Sequence, residues 1–225
     1  MNAMILAAGR GERLRPLTDS IPKPLVEVAG QTLLERHLER LAKAGFTRAV
    51  INVSHLARMI TERFGDGRRA GMTIDWSHEA APLETAGGIA LARELLGPEP
   101  FLLVNSDIWC DYAFSKLQGF DLGGRLSHLV LVPNPEQHPA GDFTLDEGII
   151  GNAAAPRYTY AGIAVISPRL VAGVAAGSKA QLAPLWRAAA ERGDVTGELH
   201  AGHWCDVGTP ARLAALEARL KRHET

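Results

Sequence analysis

The sequence predicts an α/β fold: a Rossmann-like, mostly parallel sheet flanked by helices, with a small substrate-side lobe. Three observations predict it. Short continuous apolar runs, FLLV at 101–104 and LVLV at 129–132, suit strands covered on both faces. Stretches of helical periodicity separate the early runs, as crossovers between parallel strands require. The first apolar run leads straight into a loop rich in Gly and Arg, AAGRGERLRP. In open α/β sheets ligands bind in such loops, at the carboxyl ends of the strands.

The elements follow in order. Residues 3–7 read as the first strand. Thr32 stands as an N-cap, with Glu35 completing a capping box. Leu34, Leu38 and Leu41 then make a helical stripe that stops at Gly45. Residues 49–53 form a second strand, and Ser54 is expected to cap a helix to about residue 64. A third strand at 72–76 and a third helix at 85–96 follow. Residues 101–105 and 126–132 are the fourth and fifth strands. After Pro133 the rhythm changes, with strand-like pieces at 143–145 and 158–166 and a helix at about 181–191. The segment HWCDVGTP leads into a last helix, with Thr209 as N-cap and Pro210 at its first position. One domain of 225 residues is expected, with a first part at 1–132, a lobe at 133–200 and a closing segment at 201–225.

Bulk properties narrow the function. Hydrophobic residues make up 46% of the chain and charged residues 22%, the profile of a soluble globular protein. The net charge of −1 gives no global field for nucleic acid, so anion recognition must be local. No run approaches the roughly 18 apolar residues of a membrane span, and no signal peptide is recognised. Two cysteines far apart, Cys110 and Cys205, fit a reducing cytoplasm better than a disulfide framework. A monomer or weak homodimer is expected.

The opening loop is the strongest local signal. Gly9 and Gly11 let backbone N–H groups approach an anion, and Arg10, Arg13 and Arg15 add charge. A triphosphate is the natural guest. A Walker A loop is excluded, because G-x-x-x-x-G-K-[ST] is absent. A dinucleotide fingerprint is excluded as well. Leu14 stands where its third glycine belongs, and Pro16 and IPKPL prevent the immediate helix that such a fold needs.

The string LAAGRGERLRPLT…PKPLVEVAG resembles the signature of the sugar-1-phosphate nucleotidyltransferases, the nucleoside-diphosphate-sugar pyrophosphorylases. HEAAPLETAGG resembles the family's base-binding segment, LLVNSD its strand-end aspartate motif, AGDF its sugar-contacting turn and WCDVGTP its late metal-binding motif. The likeness runs from residue 3 to about 212. PLETAGGI, NSDIW, GDF and KAQLAPLW most resemble the uridylyl-transferring branch that acts on N-acetylmuramate 1-phosphate in cell-wall recycling.

The resemblance implies transfer of a nucleotidyl group from an NTP to a sugar 1-phosphate, with pyrophosphate released. The nucleophile is a phosphate monoester already ionised at neutral pH, so no Ser/His/Asp triad is needed. Charge neutralisation and alignment of two polyanions are. The catalytic candidates are Lys23, Arg13 and Asp107. Ala8, Gly9, Gly11, Glu12 and Arg13 are expected around the triphosphate, with Lys23 at its α-phosphate. Glu79, Glu84 and Thr85 are expected to line the base pocket, where a carboxylate would accept from uracil N3–H. Asn105, Gly141 and Tyr160 are the sugar-side candidates. Asp107 and Asp206 are expected to hold Mg²⁺, which takes few protein ligands and keeps water. A zinc site of His203, Cys205 and Asp206 is the rival, and its spacing fits no standard closed zinc pattern.

Many relatives carry a lysine in the second lobe to grip the sugar phosphate. Residues 133–178 contain none, and Arg157, Arg169 and Lys179 are the possible substitutes. Trp76, Trp186 and Trp204 read as core or pocket walls, and RLKRHET as a solvated helix end. Mannose- or glucose-1-phosphate nucleotidyltransferases and a phosphocholine cytidylyltransferase are rival enzymes. A non-catalytic nucleotide-sensing homologue is a rival of another class.

Overall fold

The computed structural model describes residues 1–154 and 156–223. The chain runs β1 (Ala3–Leu6), β2 (Glu27–Val28), β3 (Gln31–Thr32), α1 (Leu33–Lys43), β4 (Arg48–Val53), α2 (Ala57–Phe64) and β5 (Thr73–His78). It continues with α3 (Glu84–Leu91), α4 (Arg93–Leu96), β6 (Phe101–Asn105), β7 (Ile108–Cys110), β8 (Ser127–Val132), β9 (Thr144–Asp146) and β10 (Ile149–Gly151). It ends with β11 (Thr159–Ile166), α5 (Ala183–Ala190), β12 (Val195–Leu199), β13 (Trp204–Asp206) and α6 (Pro210–His223).

Among the described residues, nine strands form one sheet in the order β5-β4-β1-β6-β11-β8-β12-β10-β9. Following the pairings across it, β11 and β10 run against the other strands, so the sheet is mostly parallel. Alternation along each strand sends side chains to opposite faces. Ala3, Ile5, Leu102 and Val104 join one core with Leu34, Leu38 and Leu41 of α1 and Ile60 of α2. Met4, Leu103, Leu129 and Leu131 join the other with Ala86 and Ile89 of α3, Leu96 of α4 and Trp186 of α5. Doubly covered strands explain the unbroken apolar runs. A third, smaller core packs Leu216 and Leu220 of α6 on Val26, Val28, Leu33 and Val207.

The early helices arise mostly where the pattern predicts. Thr32 caps α1, its Oγ1 accepting the Glu35 N–H at 3.2 Å. The Glu35 carboxylate instead faces Arg63 at 3.6 Å, an ion pair to α2. Ser54 is not the cap of α2. Its carbonyl accepts the Ala57 N–H at 3.2 Å, closing a turn through Leu56 in the left-handed region at φ 54°, and the helix starts after it. The expected helix at 85–96 is two, α3 and α4, joined at Ala92. Thr209 accepts the Arg212 N–H at 3.3 Å and caps α6, with Pro210 as its first residue. Trp186 is buried in the second core, and Trp76 and Trp204 are half-buried against the first. In the closing stretch Leu220 is buried while Lys221 is exposed, and residues 224–225 lie outside the described residues.

Two small ribbons matter for the site. The hairpin β2–β3 follows the opening loop. The ribbon β7–β13 pairs Asp206 with Ile108, and the Val207 N–H donates to the Asp107 carbonyl at 2.7 Å. Two segments far apart in sequence, one carrying Asp107 and the other Asp206, are therefore joined through their backbones.

Candidate active site

The carboxyl ends of β1, β4 and β6 meet at one edge, where Leu6 is the register partner of both Asn52 and Asn105. A cavity of about 630 Å³ opens there. Its walls include Ala8, Gly9, Gly11, Glu12 and Arg13 from the opening loop, then Lys23, Glu79, Glu84, Thr85, Asn105 and Asp107. These are the expected nucleotide residues together with Asn105 and one of the two expected metal ligands.

The loop is built by short turns rather than by a helix. Single 3₁₀ turns at Glu12–Leu14, Leu17–Asp19 and Lys23–Leu25 wind it back toward the sheet. Leu14, at the position that excluded a dinucleotide fingerprint, is fully buried and anchors the loop. Gly11 adopts φ 65°, and a Cβ there would sit 2.9 Å from Thr18 Cγ2 and 3.2 Å from Lys23 Cβ. Only glycine suits both the conformation and the space. Gly9 has nothing within 4 Å of its would-be Cβ, so its backbone faces the open cavity.

Lys23 is buried, and its ammonium meets Asp107 Oδ2 at 2.5 Å. A buried ammonium is costly without a partner, so the pair is mutually required. Asp206 Oδ2 accepts from Arg212 Nη2 at 2.9 Å and lies 4.0 Å from Arg13 Nη2, while its Oδ1 accepts from Gln137 Nε2 at 2.9 Å. Asp107 and Asp206 are thus carboxylates on paired backbone segments, each held by a cation. That fits a Mg²⁺ ion whose remaining ligands are phosphate and water. The zinc alternative fits poorly. Successive residues of a strand face opposite ways, so Cys205 and Asp206 diverge. Burial also pushes the Cys205 thiol up, with the Asp206 charge adding to it. Among the described residues no group of three or more His, Cys, Asp and Glu converges as metal ligands.

Glu79 is buried just beyond β5. Its Oε1 accepts from Asn52 Nδ2 at 2.7 Å and its Oε2 from the Leu83 N–H at 2.9 Å. Asn52 in turn accepts the Ala7 N–H at 2.9 Å. Glu79 therefore ties the base-side loop to the start of the opening loop. Glu84 adopts φ 62°, which few non-glycine residues do, and its carboxylate lies 3.6 Å from Lys179 Nζ.

Gly141 and Tyr160 are not among the residues that line this cavity. Gly141 turns at φ 61° against Asn134 and Arg157. The Tyr160 ring packs on Trp186 with centroids 4.8 Å apart, and burial pushes its phenol up. Of the three possible substitutes for the missing lysine, Lys179 reaches the cavity rim through Glu84, and Arg157 lies beside Gly141. Arg169 follows Ile166, the register partner of Phe101, and so sits at the opposite end of β6 from Asn105.

Sequence reasoning missed Asn52, Gln137, Gly162, Gly208 and Arg212. A polar Asn inside an otherwise apolar strand was the available signal for Asn52. Gly162 lies at the register shift in β11 at φ 79°, and a Cβ there would come within 3.1 Å of Asn105. Gln137 is unmarked because its partner Asp206 is distant in sequence, and Gly208 and Arg212 show no period or spacing that points to Asp206.

The fold and this cleft define a nucleotidyltransferase. The chain matches the nucleotidyl transferase family over residues 2–122. It is 46% identical to the N-acetylmuramate alpha-1-phosphate uridylyltransferase of Neisseria meningitidis serogroup B, over 97% of each chain. It is 34% identical to the mannose-1-phosphate guanyltransferase beta-A of Xenopus laevis, over 93% of this chain and 62% of that one. Its fold superposes with a TM-score of 0.86 on a Bacillus anthracis structure assigned as a glucose-1-phosphate thymidylyltransferase, with 17% identity, 97% of this chain and 95% of that one covered. HddC from Yersinia pseudotuberculosis, complexed with GMP-PN, superposes with a TM-score of 0.77 at 19% identity, over 97% of this chain and 99% of that one. The chain belongs to the sugar-1-phosphate nucleotidyltransferases and is an enzyme of that family.

Proposed function

We propose that this enzyme transfers a uridylyl group from UTP to N-acetylmuramate 1-phosphate, giving the UDP-sugar and pyrophosphate. The observation that carries the chemistry is the Lys23–Asp107 pair in the cavity walled by the glycine loop. The likeness to the Neisseria enzyme over nearly the whole chain supports the substrates.

A phosphate oxygen of the sugar 1-phosphate attacks the α-phosphorus, and the bond to the pyrophosphate oxygen breaks. Mg²⁺ held by Asp107 and Asp206 would supply charge neutralisation to the phosphate oxygens. Backbone N–H groups of the Gly9–Gly11 loop and the Arg13 guanidinium hold the β- and γ-phosphates. Lys23 meets the charge that builds at the α-phosphorus. Asn105 stands at the sugar side, and Gly141 and Tyr160 shape the lobe beyond it.

Base choice falls chiefly to Glu84 and Lys179, with the Glu79 carboxylate held in place by Asn52 and the Leu83 N–H and keeping lone pairs for a base N–H. A carboxylate beside an ammonium complements an N–H next to a carbonyl oxygen. Uracil presents that edge, as does guanine; cytosine and adenine do not. The reading implies work in the cytoplasm, in cell-wall recycling, by a monomer or weak homodimer. Among the described residues no helix is long and apolar enough to cross a membrane.

The test is a panel of NTPs crossed with sugar 1-phosphates, with pyrophosphate release as readout. UTP with N-acetylmuramate 1-phosphate should turn over fastest. Faster turnover of GTP with mannose 1-phosphate would instead favour the activity named for the Xenopus relative.

A further inference from the structure

Arg212 has no role in the chemistry above, yet it reaches the site. It lies in the first turn of α6, where a cation opposes the helix dipole, so its position needs a partner. That partner is Asp206 Oδ2, at 2.9 Å. Its side chain is only 19% exposed, and its Nε is buried without a hydrogen-bond partner among the described residues. Gly208, a wall of the cavity, makes room for the arrangement. A Cβ on Gly208 would lie 2.0 Å from Arg212 Nη2, 3.0 Å from Asp206 Oδ2 and 3.1 Å from Arg13 Nη2. Two guanidinium groups and a carboxylate converge on the space that a side chain at 208 would take.

We propose that Arg212 is a resident counter-ion: it holds Asp206 until a divalent cation arrives together with a nucleotide, and then turns to the phosphates. The proposal rests on the reading of Asp107 and Asp206 as the metal carboxylates. Both Asp206 oxygens accept hydrogen bonds, Oδ2 from Arg212 and Oδ1 from Gln137, so a metal at either oxygen competes with a partner for its charge. Lys23, Arg13 and Arg212 face Asp107 and Asp206, a formal sum of +1. A divalent ion alone raises that sum, and the cations repel it. A triphosphate reverses the sign. Its oxygens ligate the metal and accept the freed guanidinium, whose planar fork suits a phosphate. Metal and nucleotide therefore tighten each other, by the same factor in both directions.

The test measures Mn²⁺ binding by calorimetry and electron spin resonance, without and with a non-transferable UTP analogue. In the unmodified enzyme the analogue should tighten Mn²⁺ by at least about tenfold. Arg212→Gln should bind Mn²⁺ alone about tenfold more tightly, bind the analogue more weakly in the presence of Mn²⁺, and show a smaller coupling than the unmodified enzyme. Arg212→Met, which keeps the apolar stem, serves the same test if Arg212→Gln fails to fold. Gln137→Ala removes a neutral partner and should change Mn²⁺ affinity far less than loss of the guanidinium. Unchanged Mn²⁺ affinity and coupling in Arg212→Gln, or weaker Mn²⁺ binding in the absence of nucleotide, would overturn the proposal and leave Arg212 a strut between α6 and β13. Asp206→Asn separates the two readings. If it binds Mn²⁺ as the unmodified enzyme does, the metal assignment itself fails. If it loses Mn²⁺ while Arg212→Gln changes nothing, only the counter-ion role fails.

Discussion

Lys23 carries the sharpest prediction at the scale of single residues. Pro22 and Pro24 restrict its backbone, and burial plus Asp107 fix its ammonium. A point charge held in advance stabilises a transition state without reorganisation. Lys23→Ala should lower kcat by about 10²–10³-fold, the cost of one such group, with a smaller change in KM for UTP. Lys23→Arg should restore activity only in part, since a planar fork does not reproduce the ammonium's position. A rise in KM with kcat unchanged would make Lys23 a binding group only. Asp107→Asn should abolish most Mg²⁺-dependent turnover. The variant removes charge but little volume, yet the 2.5 Å contact to a buried lysine ties the substitution to stability as well. Leaving a buried ammonium without its carboxylate should cost about 1–3 kcal/mol in urea unfolding. The double variant Lys23→Met with Asp107→Asn should recover part of that loss. Lys23 and Asp107 were both legible as motif residues. Their contact was not, because 84 positions separate them and no local pattern encodes the pairing.

Among the elements, α3 shows how a helix positions a site. Its Gly88 packs where a Cβ would lie 2.6 Å from Glu79 Oε1 and 2.9 Å from Asn52 Nδ2. The alanine of Gly88→Ala would favour the helix by about 1 kcal/mol. Overpacking of a closed site costs roughly 1–3 kcal/mol, so the net effect should be destabilising. The same methyl would break the link from Asn52 to Glu79 that ties the base-side loop to Ala7. Gly88→Ala should therefore unfold at lower urea and show a raised KM for UTP. A more stable variant with unchanged KM would show that the Glu79 tie is dispensable. The apolar stripe of α1 and its Thr32 cap were readable, since both are local. The start of α2 was not, because Leu56 in a left-handed conformation displaced the cap that Ser54 suggested. The β7–β13 ribbon was likewise invisible: its two strands are three residues each, too short to show a period.

The whole molecule should lose stability in acid through His37. The residue is buried on α1, and burial, with Arg40 nearby, lowers its pKa from 6.5 to about 4. The unfolded chain then binds more protons between those values, so stability falls as pH drops from 6.5 toward 4. The loss from this one group approaches about 3 kcal/mol below pH 4. Unfolding free energies measured from pH 7 to 4 should show the slope, and His37→Leu should flatten it by about one proton. An identical slope in that variant would assign the acid lability to other groups.

At this scale the division of labour between sequence and fold is visible. Composition, the alternation of strand and helix patterns and the motif strings were enough to specify the α/β class, the family and the residues of the opening loop. Such features rest on local backbone preference and on the period of burial, which a linear chain displays directly. The tertiary structure alone decided which carboxylates stand together, which cations hold them and which glycines make room. The segments that carry Asp107 and Asp206 are joined by a short ribbon, and Arg212 and Gln137 converge on Asp206 from a helix and a loop. The pairing of charges depends on the distances between side chains in space, and those distances are set by the packing of the whole sheet with its helices.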